Sequence, residues 1–75
     1  MGPAEERIAL ADRLAKSLRF SNVSPAQMAD GLGLTEATVE SWLQCRSAPR
    51  LSNLMVWAQV CGVPFEWLTG TEEEP

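Results

Sequence analysis

Apolar residues recur every three or four positions near the start of the chain, at Ile8, Ala11, Leu14, Ala15 and Leu18. This spacing predicts one amphipathic helix over residues 4–19, with the apolar side chains directed toward a core. Acidic residues in its first turn and basic residues in its last turn complement the helix dipole. The pattern breaks at Ser21 and Asn22, where we expect the helix to end.

A second and a third helix are predicted with a very short connection between them. Ser24 and Gln27 have the spacing of a capping box, and Pro25 suits the first helical position. Gly33 suits the left-handed residue that ends a helix, and Thr35 is a helix N-cap only two residues later. Such a short connection makes two helices cross steeply, at about 90 to 120°, so the sequence predicts a helix-turn-helix unit.

The remainder of the chain predicts two further helices. The fourth spans about residues 51–60 and is closed by Gly62, and the fifth is a short turn over residues 65–68. No segment has the alternating pattern of a strand. We therefore expect an all-α domain of five helices in residues 1–70, followed by an acidic C-terminal tail in residues 71–75.

Composition restricts the classes of function. The 75 residues, 45% apolar and 21% charged, fit one globular domain. The chain has no histidine and two well-separated cysteines, so we expect no metal, no cofactor and no enzymatic activity. The longest apolar runs are far shorter than the ~20 residues that span a bilayer, so we expect a cytoplasmic protein without a membrane partner.

The net charge of −4 argues against a nucleic-acid partner, but the distribution of the charges weakens that argument. Three of the ten acidic residues lie in the tail. The basic residues are concentrated in two stretches without acids, residues 13–29 and 41–65, apart from Arg7. Two local basic patches therefore occur on a mildly acidic domain, and they are either solvated helix surface or binding surface.

From about residue 24 to residue 70 the chain resembles the lambda-repressor-like, or Cro-type, helix-turn-helix proteins of the XRE family. The residues that carry the resemblance are Met28-Ala29, Leu32-Gly33-Leu34-Thr35, Thr38-Val39, Trp42, Pro49, Leu51, Leu54, Ala58, Gly62-Val63 and Trp67-Leu68. The resemblance implies a compact five-helix fold. It also implies a small sequence-specific transcriptional regulator, similar to a phage or prophage Cro or repressor protein, that acts by occupying an operator in double-stranded DNA.

In this family the third helix lies in the major groove, which implies roles for individual residues. The implied base-contacting residues are Glu36, Ala37 and Ser41. The phosphate-contacting residues are Ser24, Gln27, Thr38, Gln44, Arg46 and Ser47, with Arg50 added because of its charge. Glu36 either accepts from a cytosine amino group or only complements the helix dipole. Arg50 alternatively caps the fourth helix or pairs with an acid.

A single recognition helix covers few base pairs, so we expect a weak homodimer. Its predicted interface residues are Met55, Val56, Trp57, Pro64 and Phe65, which alternatively only close the small core. The acidic recognition face also leaves a second function open. In that alternative the domain is a protein-binding helix-turn-helix module, such as an antirepressor that docks on another regulatory protein.

Overall fold

A computed structural model describes residues 3–70 of the chain, and the tail predicted for residues 71–75 lies outside the described residues. The described part contains five α-helices and no strand: α1 Pro3–Ser21, α2 Pro25–Leu32, α3 Glu36–Leu43, α4 Leu51–Cys61 and α5 Phe65–Thr69. The predicted all-α class is confirmed. The first helix extends one residue further at its start and two at its end than the sequence pattern predicted.

The central helices begin and end through local hydrogen bonds. Ser24 Oγ accepts from the backbone N–H of Gln27 at 3.1 Å, and Gln27 Oε1 accepts from the backbone N–H of Ser24 at 2.9 Å, which is the predicted capping box. Gly33 ends α2 with a left-handed φ of 70°. Thr35 Oγ1 then accepts from the backbone N–H of Thr38 at 3.3 Å. The helix-turn-helix unit is therefore set by its own sequence, with residues 33–35 as the turn.

The core lies among all five helices and is dominated by tryptophan and aliphatic side chains. Its buried members are Leu14, Leu18, Met28, Ala29, Val39, Trp42, Leu54, Trp57, Ala58, Cys61, Val63, Trp67 and Leu68. The ring centroids of Trp42 and Trp57 lie 6.2 Å apart and the ring planes are tilted to one another, an arrangement favoured for aromatic pairs. Trp42 and Trp67 are both buried members of this core.

The apolar stripe predicted for α1 is wrong at its first member. Ile8 is 59% exposed, and residues 5–8 are all exposed. The buried side of α1 is formed instead by Ala11, Leu14 and Leu18 together with Ser17. The cause is geometric, because the other helices cover α1 only beyond its first turns. A helical period shows which side is apolar but not how far along the helix that side is covered.

Trp57 is a core residue, so its assignment to a dimer interface was wrong. Its side chain is fully buried, and its indole Nε1–H donates to Ser17 Oγ at 2.8 Å. The Ser17 hydroxyl in turn donates to the carbonyl oxygen of Leu14 at 2.6 Å. A buried indole N–H usually has a hydrogen-bond partner, and Ser17 supplies one for Trp57 across the contact between α1 and α4. This side chain is therefore unavailable to a second molecule.

Cys45, just beyond the end of α3, has a left-handed backbone with φ of 64°. Its N–H donates to the carbonyl oxygen of Trp42 at 3.2 Å, so it occupies the position that glycine usually fills after a helix. A side chain with a Cβ in this conformation costs about 1–2 kcal/mol. Cys45 is half-buried and unpaired by a disulfide, so the strain is a local property of this turn.

Replacing Cys45 with glycine is therefore expected to raise the free energy of unfolding by roughly 0.5–1 kcal/mol, because glycine adopts this conformation without steric cost. Urea unfolding followed by circular dichroism measures the change. Asn22, which has φ of 58°, offers the comparison. Asparagine tolerates the left-handed region, so Asn22→Gly should gain less. A loss of stability in Cys45→Gly would contradict the strain at this position.

Candidate nucleic-acid interface

The three predicted base-contacting residues lie on the outer side of α3. Glu36 and Ala37 are exposed in the first turn, and Ser41 is half-buried one turn further on. The opposite side of the helix is held in the core by Val39 and Trp42. Residues four positions apart in a helix fall on the same side, so Ala37 lies next to Ser41. Glu36 lies in the neighbouring row of the same outer surface, which continues to the exposed Gln44.

The loop after α3, residues 44–50, is tied to that surface by two hydrogen bonds to Ser41. The hydroxyls of Ser41 and Ser47 lie 2.7 Å apart. The backbone N–H of Arg46 donates to the carbonyl oxygen of Ser41 at 2.9 Å. Arg46 is thus held beside the last turn of α3. The Ser41 hydroxyl already has one protein partner, and its remaining hydrogen-bonding capacity is what a base edge can use.

Arg46 and Arg50 are exposed, and neither forms an ion pair with a carboxylate within residues 3–70. Arg50 is the N-cap residue of α4 but makes no side-chain capping hydrogen bond. The two alternatives raised for Arg50, a cap or a pairing with an acid, are therefore not realised in the described residues. Both guanidinium groups are free to meet a phosphate, which they bind with two parallel N–H donors.

The other predicted phosphate contacts have structural roles as well. Ser24 Oγ and Gln27 Oε1 both accept hydrogen bonds within the capping box. This leaves the Ser24 hydroxyl hydrogen and the Gln27 amide as donors on an exposed helix start. Thr38 Oγ1 lies 2.9 Å from Thr35 Oγ1 and is half-buried. These three residues can only supplement the arginines, because part of their capacity is already used.

Two carboxylates lie on the same side of α3. Glu36 is in the first turn, where its charge complements the helix dipole. It makes no side-chain hydrogen bond to another described residue, so its oxygens remain available as acceptors. Glu40 is half-buried, and its Oε2 accepts from Gln44 Nε2 at 3.5 Å, a long and weak bond. The two roles suggested for Glu36 are both compatible with this geometry.

The remaining dimer candidates lie on α4 and at the start of α5. Met55 is 54% exposed and Val56 39% exposed, Pro64 is exposed, and Phe65 is half-buried against the core. Sequence reasoning missed the exposure of Leu51 and Val60 on the same helix. This exposure could have been predicted. Residues 51–65 contain no charged residue, so the solvent-facing side of α4 must include apolar side chains.

No protein-family model, curated protein or solved structure matches this chain. The resemblance to the XRE family therefore stays a prediction carried by the residues quoted above. Among the described residues, no helix has the length and apolar character needed to cross a bilayer, and no three His, Cys, Asp or Glu side chains gather as metal ligands. The surface formed by α3 and the loop of residues 44–50, which we call the arginine loop, is therefore the candidate site.

Proposed function

We propose that the protein is a small DNA-binding transcriptional regulator that inserts α3 into the major groove and occupies an operator. One observation carries the proposal. An exposed helix face adjoins a loop that two hydrogen bonds hold against it, and that loop presents arginines without carboxylate partners in residues 3–70. Contacts to phosphate fix the register of a protein on DNA, while side chains on the inserted helix read the bases.

The proposed division of roles follows from the chemistry of each side chain. Arg46 and Arg50 bind phosphates, with Gln44 and the exposed start of α2 as supplementary donors. Glu36 accepts from a cytosine amino group, and the Ala37 methyl contacts a thymine methyl. Ser41 both donates and accepts, so it contributes little discrimination between bases.

The net charge of −4 does not prevent this binding. At physiological ionic strength the Debye length is about 8 Å, so exposed carboxylates further away than this are largely screened from the phosphates. A guanidinium in direct contact with a phosphate is screened much less. The local arrangement of the arginines therefore outweighs the total charge, although the two carboxylates on α3 reduce the affinity for sequences that offer them no donor.

A second candidate function is favoured by Glu36 and Glu40. Both lie on the outer side of α3, where arginine or glutamine is more usual in DNA-reading helices of this type. A face of this charge complements the basic surface of another regulatory protein. In that function the domain is an antirepressor that covers the DNA-binding surface of its partner.

The dependence of DNA affinity on salt tests the proposal. The protein is titrated against double-stranded fragments at several salt concentrations, and the logarithm of affinity is plotted against the logarithm of salt concentration. Each neutralised phosphate contributes a slope of about −0.9, so four to six contacts give roughly −4 to −5. Failure to bind any duplex at low salt would exclude the proposed function and favour the antirepressor.

A further inference from the structure

Two hydroxyl groups share a hydrogen at the junction between α3 and the arginine loop. The Oγ atoms of Ser41 and Ser47 lie 2.7 Å apart, the usual separation for an O–H···O hydrogen bond, so one hydrogen lies between them. Either hydroxyl can supply that hydrogen. Neither side chain forms another hydrogen bond with a residue in the range 3–70. The pair therefore has two hydrogens, of which one joins the two oxygens and the other is free.

The two serines face different parts of a bound duplex. Ser47 is exposed and directly follows Arg46, so it lies in the part of the arginine loop that is proposed to bind phosphate. Ser41 lies on the outer side of α3, which is proposed to face the bases. The backbone N–H of Arg46 donates to the carbonyl oxygen of Ser41 at 2.9 Å and holds the loop beside the helix. The hydroxyl pair thus joins the phosphate contacts to the base contacts.

Contact with phosphate decides which serine supplies the shared hydrogen. Phosphate oxygens of DNA accept hydrogen bonds, and serine hydroxyls donate to them. Once Ser47 donates its hydrogen to phosphate, the hydrogen between the two oxygens has to come from Ser41. The Ser41 hydroxyl then retains only lone pairs. An isolated serine both donates and accepts, whereas Ser41 paired in this way only accepts.

We propose that Ser47 is a positioning residue that makes Ser41 selective for bases with an amino group. In the major groove, cytosine N4 and adenine N6 donate hydrogen bonds, whereas guanine O6 and thymine O4 accept them. A Ser41 that only accepts favours cytosine or adenine at its position and disfavours guanine and thymine. This role of Ser47 rests on the proposed DNA binding and adds to it a base preference that Ser41 alone does not supply.

The carboxylates beside Ser41 favour the same bases. Glu36 is exposed in the first turn of α3, and an ionised carboxylate only accepts hydrogen bonds. Glu40 adds a second carboxylate, whose Oε2 accepts from Gln44 Nε2 at 3.5 Å. Cytosine and adenine amino groups offer these side chains a donor, whereas the keto oxygens of guanine and thymine do not.

Systematic replacement of base pairs tests the role of Ser47. A duplex bound by the unchanged protein is selected from a random-sequence library, and each of its base pairs is then replaced by the other three. We expect one position at which cytosine or adenine gives about tenfold tighter binding than guanine or thymine, and at which Ser41→Ala abolishes this preference. Ser47→Ala should also abolish it, because the Ser41 hydrogen is then free to donate. Ser47→Thr retains the hydroxyl and should retain the preference.

Arg46→Ala is the matched control for Ser47→Ala. It removes a phosphate contact from the same loop but leaves both hydroxyls in place. It should therefore weaken binding to all four sequences by the same factor and leave the ratio between amino and keto bases unchanged. A loop that only needed Ser47 for its shape would likewise change the affinity for all four sequences and not their ratio.

A base analogue provides a measurement on the unchanged protein. Adenine at the Ser41 position is replaced by purine, which lacks the N6 amino group, and affinity should fall about tenfold. The same replacement should have no effect on Ser41→Ala.

Two kinds of failure can be distinguished. Binding to duplexes without a preference for amino bases, or with a preference that survives Ser47→Ala, would overturn the role of Ser47 and leave the proposed DNA binding intact. Failure to bind any duplex would exclude both.

Discussion

Replacing Ser17 with alanine is expected to lower the free energy of unfolding by about 1–3 kcal/mol. The hydroxyl is fully buried and accepts the only hydrogen bond made by the indole N–H of Trp57 within the described residues. Loss of the Ser17 hydroxyl leaves the buried indole N–H of Trp57 without an acceptor, and the protein then bears the full desolvation free energy of that N–H. Urea unfolding followed by circular dichroism measures the difference without relying on tryptophan emission.

Ser21→Ala is the matched control for Ser17→Ala. The Ser21 hydroxyl also donates to a carbonyl oxygen of α1, that of Ser17, at 2.7 Å, but it is only half-buried and has no partner on another helix. Its replacement should cost well under 1 kcal/mol, as is usual away from buried features. Equal losses in the free energy of unfolding of the two variants would show that the hydrogen bond between Trp57 and Ser17 does not contribute to stability.

Replacing both Arg46 and Arg50 with alanine is expected to weaken DNA binding by about tenfold for each residue at low salt, because each removes a charged contact with phosphate. The slope of log affinity against log salt should become shallower by about 0.9 for each residue. The measurement is the same salt titration as for the unchanged protein, performed with one duplex.

Arg7→Ala removes the same charge from the exposed start of α1, outside the proposed interface. It should leave the slope unchanged. If Arg7→Ala lowered affinity and slope as much as Arg46→Ala does, the effect would come from total charge rather than from contacts made by the loop after α3. The roles proposed for Arg46 and Arg50 would then be wrong.

The boundaries of α2 and the start of α3 could be predicted because the signals that set them are local. Ser24, Gly33 and Thr35 act through hydrogen bonds or backbone angles within a few residues of themselves. The covered side of α4 was harder to predict, because Met55, Val56 and Trp57 are consecutive apolar residues. The polar Ser52 and Gln59 mark the outer side of the helix, but no charged residue accompanies them, so this signal is weak.

The proposed site could also be predicted in part from the sequence. Val39 and Trp42 mark the buried side of α3, so its outer side followed from the helical period. The hydrogen bonds that attach the arginine loop to Ser41 could not be predicted from the sequence. It joins Ser41 to Ser47 across a turn whose path depends on the left-handed backbone of Cys45, and cysteine gives no sign in the sequence that it adopts that conformation.

The hydrogen bond from Trp57 to Ser17 joins positions 40 residues apart. The caps of α2 and α3, in contrast, form between residues three apart. Closing a long chain segment costs more entropy than forming a local turn, and small helical proteins rich in local contacts fold within microseconds to milliseconds. The caps of the central helices can therefore form locally, whereas the indole reaches its serine only when the first and fourth helices meet, so this bond reports the docking of those two helices and not their formation.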